Sequence, residues 1–225
     1  MGAGRAHLYG GRVARGRLIT IEGLDGAGKS TLADGLEREL AGRGQPVALL
    51  REPGGVEVSE RIRDLVKDPA LSVSPRAEAL LYAAARAQLV EERLLPLLRG
   101  GAMVLLDRFV DSSLAYQGAG RALGVEEVRD INLFATGALV PDRTLLLRIS
   151  PADGRARARD RALRPDRLEL EGDDFFAAIA AAYDQLARAE PERIRVIDAA
   201  QAPARVLRDA LAVVEDLLPR AQPRG

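Results

Sequence analysis

The 225-residue sequence contains no cysteine and no tryptophan, and its single histidine, His7, lies near the amino terminus. The absence of cysteine excludes disulfide bonds and thiolate metal sites. Because there is no other histidine, imidazole is not available as an acid or a base within a folded core. Any chemistry therefore has to use carboxylates, lysine, arginine, hydroxyl groups, backbone amides or a metal ion.

An excess of charge of one sign is also missing, since 33 lysines and arginines balance 33 aspartates and glutamates. A nucleic-acid-binding protein usually carries a basic surplus, so we expect no nucleic-acid partner. No apolar run approaches the roughly 20 residues of a transmembrane helix, so we expect no membrane association. The hydrophobic fraction of 47% is ordinary for a globular protein. Because the sequence shows neither a transmembrane run nor a secretory signal, we expect a cytoplasmic location.

The length fits one globular domain that carries a mobile lid. Residues 1–16 lack the apolar segment of a secretory signal, and we interpret them as a disordered extension or an early start site. Their arginine and alanine content leaves an organelle transit peptide as an alternative. Residues 17–218 form the predicted domain, in which residues 151–170 are the lid, and residues 219–225 form a frayed tail.

Short apolar segments alternate with longer segments of helical periodicity throughout this domain. The short segments predict five strands, at residues 17–22, 46–50, 102–106, 144–149 and 194–197. Helices between consecutive strands imply right-handed crossovers and a parallel sheet covered on both faces. The predicted fold class is α/β, with about five parallel strands. Ligands of such folds bind beyond the carboxyl ends of the strands, so the residues that follow each strand are the candidates for function.

The first strand is followed by G-L-D-G-A-G-K-S, which matches the phosphate-binding motif G-x-x-x-x-G-K-[ST] at every fixed position. Backbone amides and a helix N-terminus surround a phosphate in this motif, which predicts the P-loop NTPase fold. Lys29 is expected to reach the β- and γ-phosphates of ATP, and Ser30 to offer a hydroxyl group to Mg²⁺. The loop residues predicted to bind ATP are Gly23, Leu24, Asp25, Gly26, Ala27, Gly28, Lys29 and Ser30.

The motif alone does not name a reaction, because GTPases, motors, transporters and small-molecule kinases share it. The sequence has no guanine-reading N-K-x-D element, and the loop lacks the second lysine of partitioning ATPases. A kinase and an ATP-dependent switch that binds a partner both remain open at this point.

Charged residues also follow the second and third strands. Beside a phosphate loop, Asp107 is well placed to hold Mg²⁺ or its waters, and Arg108 to bridge the donor and acceptor phosphates. Arg51 follows the second strand, and a guanidinium is suited to bidentate phosphate binding. The alternative is that these residues form a solvated ion pair and an ordinary surface turn.

Two further patterns involve arginine. Tyr82 and Arg86 share a helix face, where Tyr82 could stack on a base and Arg86 could bond its edge. The alternative is that Tyr82 packs in the core while Arg86 pairs with a surface acid. Residues 155–167 contain six arginines in thirteen positions without the aromatic residues that stack on bases. A lid that delivers Arg155 or Arg159 to the γ-phosphate explains this segment better than a nucleic-acid patch or a solvated helix.

From about Arg17 to Leu218 the sequence resembles the thymidylate kinases. The motifs that carry the resemblance are I-E-G-L-D-G-A-G-K-S-T from Ile21, R-E-P-G-G from Arg51, L-Y-A-A-A-R-A-Q from Leu81, D-R-F-V-D-S-S-L-A-Y-Q-G from Asp107 and D-R-L-E from Asp166. Some members carry an arginine where Gly26 stands here, so the resemblance is to the bacterial-type subgroup, whose catalytic arginine comes from the lid. The stacking position holds Tyr82 instead of the usual phenylalanine, and the lid is longer than usual and includes Pro165.

The resemblance implies ATP-dependent phosphorylation of dTMP to dTDP, with Mg²⁺, by a homodimer formed through long helices. Another nucleoside or nucleotide kinase on the same fold is the alternative. The implied dTMP contacts are Asp25 for the sugar, Arg51 and Arg108 for the phosphate, Tyr82, Arg86 and Ser113 for the base, Tyr116 against a ribose, and Gln117. Thr31 and Gln201 join the predicted ATP contacts. The predicted catalytic residues are Lys29, Asp107, Arg108, Arg155 and Arg159, and the predicted metal ligands are Ser30 and Asp107.

Overall fold

The computed structural model describes residues 16–161 and 166–218. Our predictions of a disordered extension and a frayed tail therefore concern residues that lie, apart from Gly16, outside the described ones, as do four residues of the predicted lid. The structure is a five-stranded parallel sheet in the order β2-β3-β1-β4-β5. Its strands are β1 Arg17–Gly23, β2 Val47–Arg51, β3 Met103–Asp107, β4 Arg143–Arg148 and β5 Ile194–Asp198. The predicted α/β class and all five strands are confirmed.

Nine α-helices are present in the described parts of the chain. They are α1 Lys29–Gly42, α2 Glu57–Lys67, α3 Pro75–Leu89, α4 Leu95–Arg99, α5 Val110–Ser113, α6 Val125–Thr136, α7 Pro151–Arg161, α8 Asp173–Ala189 and α9 Pro203–Val214. Local sequence explains several starts. Ser74 caps α3 and is followed by Pro75, Ser150 accepts a hydrogen bond from the amide of Asp153 in α7, and two aspartates begin α8.

Two π-helical segments interrupt the helices. The sequence predicts a long helix from Pro75 to Leu98 that bends or ends near Pro96, and in the structure a wider turn at Val90–Leu94 separates α3 from α4. Pro96 explains this, because its nitrogen donates no hydrogen bond and its ring crowds the preceding turn. A second wide turn, Leu114–Gly120, follows α5 and shows no such signal in the sequence.

Side chains alternate between the two faces of each strand, and the sheet is buried on both faces because apolar side chains on each face pack against helices. In β1 and β3, one set of side chains packs with Leu89, Leu94 and Leu98, and the other with Leu36 and Leu40 of α1. The first set is Leu18, Val104 and Leu106, and the second is Ile19, Ile21 and Leu105. Truncating a fully buried leucine of this kind costs about 2–5 kcal/mol. This close packing holds the sheet in place, so the sheet is a rigid base for the residues at its edge.

The strand register brings the functional candidates to one edge. Asp107, the last residue of β3, lies opposite Arg51 of β2 and Ile21 of β1. The segment after β1 curls into the phosphate loop, and α7 crosses directly over it. A Cβ atom placed on Gly26 would lie 2.0 Å from the carbonyl oxygen of Gly154 in α7. Among the described residues, no helix is both long enough and apolar enough to cross a membrane.

Candidate active site

The phosphate loop is shaped by its glycines and by a lysine that folds back over it. Gly26 and Gly28 have φ values of 78° and 96°, which glycine adopts without strain. Lys29 is buried, and its Nζ donates to the carbonyl oxygens of Gly23 at 3.2 Å and Leu24 at 2.9 Å. Burial, followed by the charge of Arg108, lowers the pKa of Lys29 to about 8. The carboxylate of Asp25 lies 3.8 Å from Nζ, too far for a hydrogen bond, so the charge of Lys29 is suited to an anionic ligand.

Ser30 and Asp107 offer oxygen atoms at the mouth of the loop. The Ser30 hydroxyl donates to Oδ2 of Asp107 at 3.0 Å, while Oδ1 of Asp107 is buried without a hydrogen-bond partner in the described residues. Mg²⁺ prefers oxygen ligands and is usually held by one or two protein groups together with phosphates and water. The pair therefore fits the ion that we predicted, and the unpaired oxygen is the observation that favours it.

Arg108 is the centre of a compact charged cluster. Its backbone is left-handed, with φ at 70°, and its Nη2 donates to Asp25 at 2.5 Å and to the Tyr116 hydroxyl at 3.2 Å. Tyr116 in turn donates to Asp25 at 2.9 Å, and the guanidinium lies 4.9 Å from the centre of the Tyr116 ring. Burial disfavours the charge on Asp25, but Arg108 and Lys29 outweigh it and hold the pKa of Asp25 below its usual range. Asp25 is therefore ionised and fixed in place.

A cavity of about 340 Å³ lies next to this cluster and extends towards α2 and α3. Its wall includes all eight residues predicted to bind dTMP, together with Gly26, Gly28, Lys29, Ser30 and Asp107 of the predicted ATP and metal sites. The structure thus joins the donor and acceptor residues in one space, although their individual roles stay predictions. The eight are Asp25, Arg51, Tyr82, Arg86, Arg108, Ser113, Tyr116 and Gln117.

Arg86 fits neither simple alternative from the sequence, because it lines the cavity and is also almost fully buried. Its Nε donates to Glu52 at 2.7 Å, and its Nη atoms donate to Ser113 at 2.9 Å, to Asn132 and to the carbonyl of Phe109 at 2.9 Å. Burial raises the pKa of Glu52 against the opposing charge of Arg86. Within the described residues these bonds leave one of its five N–H groups free for a ligand.

The other acceptor-side residues have internal partners as well. Arg51 is half exposed and donates to both carboxylate oxygens of Glu60 at 3.0 Å. Gln117 donates to the buried Glu78 at 2.9 Å. Tyr82 lines the cavity and packs against the hydrophobic core, and burial raises the pKa of its hydroxyl.

The two arginines predicted to act from the lid, Arg155 and Arg159, lie outside the cavity wall. Arg155 pairs with Asp173 at the start of α8 and lies 5.7 Å from the ring of Phe176, whereas Arg159 is exposed to solvent. As described, neither side chain lines the cavity. Arg157, which we did not predict, donates to the carbonyl of Ala199 at 2.9 Å. Because α7 is helical, residues four apart such as Arg155 and Arg159 lie on the same side of it, and the sequence could not indicate which side faces the cavity.

The predicted ATP contacts outside the cavity occupy varied positions. Thr31 is exposed on the first turn of α1. Gln201 lies in the loop after β5, where its Nε2 donates to the carbonyl of Asp198 at 3.3 Å. Gly23 and Leu24 line a second cavity, between the end of β4 and α8. Their roles stay predictions.

Sequence reasoning missed several cavity residues. Arg63 and Lys67 of α2 line the wall, where Arg63 donates to the carbonyl of Pro53 at 2.9 Å and Lys67 pairs with Asp166 at 2.7 Å. Glu22 is buried directly behind the wall. A glutamate in a strand that was predicted from its apolar residues was the available signal, because ionisable residues are seldom fully buried without a partner.

The phosphate loop and the cationic cavity beside it define a P-loop phosphotransferase that holds a phosphate donor and an anionic acceptor side by side. A family model described as Thymidylate kinase matches residues 21–210. The thymidylate kinase of Lactobacillus delbrueckii subsp. bulgaricus is 44% identical over 91% of this chain and 98% of that protein. The thymidylate kinase of Leifsonia xyli subsp. xyli is 50% identical over 83% of this chain and 88% of that protein.

A solved structure agrees with these sequence comparisons. The crystal structure of thymidylate kinase from Ehrlichia chaffeensis superposes with a TM-score of 0.74 at 25% identity, and the match covers 89% of this chain and 99% of that one. The chain belongs to the thymidylate kinase family.

Proposed function

We propose that this chain transfers the γ-phosphate of ATP to dTMP, which yields ADP and dTDP. The observation that carries the proposal is the single cavity in which Lys29 and Ser30 of the phosphate loop meet Arg51 and Arg108 of the acceptor side. Arginine suits an acceptor phosphate, and membership of the thymidylate kinase family favours dTMP as that acceptor.

The reaction needs no nucleophilic side chain. A phosphate oxygen of dTMP attacks the γ-phosphorus in line, a new P–O bond forms, and the bond to the bridging oxygen breaks as ADP leaves. Lys29 stabilises the negative charge that spreads over the transferred group. Ser30 and Asp107 would hold Mg²⁺, which neutralises phosphate charge when bound. Arg108 fixes the acceptor phosphate, and Tyr116 crowds the position that a ribose hydroxyl would take.

An assay of ADP release tests this function across dTMP, dUMP, dCMP, AMP and thymidine. We expect dTMP to give the highest kcat/KM. Higher activity with another acceptor would support a different kinase on this fold. ATP hydrolysis without any acceptor would support the switch that the motif alone allowed. If dTMP were no better than water, the proposal would fail.

We propose that Arg159, rather than Arg155, approaches the transferred phosphate when the lid closes. Arg155 is already engaged by Asp173, whereas Arg159 is exposed on α7, which crosses the phosphate loop. The variant Arg159→Ala should lower kcat about 100-fold with little change in dTMP affinity, as expected for a group that acts in the transition state. A loss of kcat that appears only in Arg155→Ala or in another lid arginine would overturn this assignment.

We further propose that the enzyme is a homodimer and acts in the cytoplasm. Large apolar side chains are exposed on helix α3 and on helices α2 and α6, which both pack against α3. They are Val58, Leu65, Leu80, Leu133 and Phe134, the last of which is 92% exposed. Such a patch is typical of an interface. Light scattering should give a dimer for the wild type and a monomer for Phe134→Asp, and a monomeric wild type would refute the dimer.

A further inference from the structure

Glu22 is fully buried at the end of β1, immediately before the phosphate loop, and the reaction described above does not use it. Its carboxylate accepts four hydrogen bonds. Oε1 accepts from the amides of Phe109 at 2.7 Å and Ser112 at 3.3 Å, and Oε2 accepts from the hydroxyls of Ser112 at 2.5 Å and Tyr183 at 3.0 Å. An ionisable group is costly to bury, so this full set of donors indicates a site built around a carboxylate.

The Ser112 hydroxyl links Glu22 to Arg108. In its ionised form Glu22 only accepts hydrogen bonds, so Ser112 then gives its one proton to Glu22. The lone pairs of the Ser112 oxygen then face Nη1 of Arg108, which donates to it at 3.1 Å. Glu22 therefore sets the direction of one of the two bonds that Nη1 of Arg108 donates, the other being to the carbonyl of Gly23 at 3.2 Å.

Glu22 and its strand also hold the backbone around Arg108. The amide of Arg108 donates to the carbonyl of Ile21 at 3.0 Å, and the next amide, of Phe109, donates to Glu22. Between these two bonds Arg108 takes a left-handed conformation with φ at 70°, which side-chain-bearing residues seldom adopt. Such a conformation persists only where surrounding contacts fix it.

We propose that Glu22 is a positioning residue for the acceptor phosphate, which it serves by fixing the backbone and guanidinium of Arg108 through Phe109 and Ser112. The inference rests on the proposed function, in which Arg108 binds the phosphate of dTMP. Asp25 and Tyr116 hold the opposite side of the guanidinium, so the loss of Glu22 should loosen Arg108 without releasing it.

The charges around Glu22 are consistent with this role. The carboxylate of Asp111, on α5, disfavours a negative charge on Glu22, whereas Arg108, which precedes α5, favours that charge. Tyr183, on α8, donates a hydrogen bond to Glu22. Burial, followed by Asp111, raises the pKa of Glu22 to about 7. The hydrogen bonds to Ser112 and Phe109 oppose that increase, which is why the carboxylate form remains accessible near neutral pH.

The experiment compares the affinity for dTMP and for ATP in the full-length enzyme by calorimetry, with kcat measured alongside. Glu22→Gln keeps the shape but turns an acceptor into a donor opposite Ser112. We expect dTMP affinity to fall about tenfold, the scale of one hydrogen bond to a charged group. ATP affinity should change less than about twofold, because the phosphate loop keeps its own backbone contacts.

A double-mutant cycle identifies the route of the effect. Ser112→Ala should weaken dTMP binding to a similar extent, and Glu22→Gln combined with Ser112→Ala should be no weaker than either single variant. Tyr183→Phe removes one donor to Glu22 but leaves Ser112 in place, so its effect should be smaller. Asp184→Asn, which removes an exposed carboxylate one residue further along α8, is the control and should bind dTMP like the wild type.

The outcomes separate the inference from the proposed function. If the wild type does not phosphorylate dTMP, the proposed function fails. If the wild type is active but Glu22→Gln binds dTMP normally, weakens both nucleotides equally, or adds independently to Ser112→Ala, the positioning role is wrong. Thermal denaturation shows which variants are folded, and the Ser112→Ala and Tyr183→Phe data decide the matter if Glu22→Gln does not fold.

Discussion

The donor half of the cavity is built by one continuous stretch of chain, whereas the acceptor half is assembled from distant ones. Gly23–Ser30 turns between β1 and α1 and offers mainly backbone amides. The acceptor half takes side chains from the end of β2, from α3, and from the segment that follows β3. A site made of backbone depends on local geometry, but one made of distant side chains depends on the packing of the whole domain.

The two halves also differ in how their cations are neutralised. The three arginines predicted to contact dTMP each have a carboxylate partner within 3.0 Å: Arg86 with Glu52, Arg51 with Glu60, and Arg108 with Asp25. In the donor half, Lys29 lies 3.8 Å from Asp25 and bonds mainly to carbonyl groups. The acceptor cations are therefore fixed before a ligand arrives, while the donor cation is left to be neutralised by phosphate.

The largest effect should come from removing that donor cation. Lys29→Ala should lower kcat by about 1,000-fold, because the lysine stabilises charge in the transition state that no neighbour can replace. Affinity for dTMP should change less than about twofold, since the acceptor half keeps its own partners. Steady-state kinetics and calorimetry measure the two quantities. Lys67→Ala, which removes another lysine of the cavity wall, should lower kcat far less, and equal losses would contradict the division into halves.

This contrast explains how much could be predicted from the sequence. The donor half is local, so the spacing of two glycines, a lysine and a serine identified it, and the strand pattern placed it at the correct edge. The acceptor residues were named by resemblance to a family, because spacing alone left Tyr82 and Arg86 open to a core interpretation. Their partners, Glu52 and Asn132, are far from Arg86 in sequence, and pairing at that distance leaves no periodic signal.

The lid shows a different limit. The sequence predicts a lid that follows β4 and carries arginines, and this lid stays a prediction. The sequence could not indicate the direction in which α7 faces. That direction is set by a backbone contact between Gly26 and Gly154, where both residues lack a Cβ atom. Glycine also serves turns and caps, so neither position could be identified as a packing contact before the fold was known.

A second effect, of comparable size, should come from the acceptor half. Arg86→Ala leaves Glu52 buried without its cation, so the free energy of unfolding should fall by about 3–5 kcal/mol. Urea denaturation measures this loss. Arg51→Ala breaks a pair that is about half exposed and should cost less than about 1 kcal/mol. If the two variants were equally stable, buried pairing would not be what distinguishes the acceptor half.

The pH dependence of stability tests the junction between the halves, where Glu22 lies. Its pKa is raised from 4.5 to about 7 in the folded protein, so the folded state binds more protons than the unfolded state between these values. Stability from this group is complete below pH 4.5 and is lost as the pH rises through 7, by roughly 3 kcal/mol. Urea denaturation at pH 5 and pH 8 should show this decline for the wild type relative to Glu22→Gln. Parallel curves would mean that Glu22 is ionised throughout.

The smallest effect should appear where the donor half meets the lid. Gly26 and Gly28 both have positive φ values, so an alanine at either position suffers similar backbone strain. Only the Gly26 substitution brings a Cβ to within 2.0 Å of α7, since the described structure has no atom within 4 Å of a Cβ on Gly28. Without nucleotide, Gly26→Ala should therefore speed hydrogen exchange of the α7 amides about tenfold relative to Gly28→Ala, which corresponds to about 1.4 kcal/mol of lid docking. Equal exchange in the two variants would mean that α7 does not rest on the loop, and that the donor half is as independent of its neighbours as its sequence motif suggests.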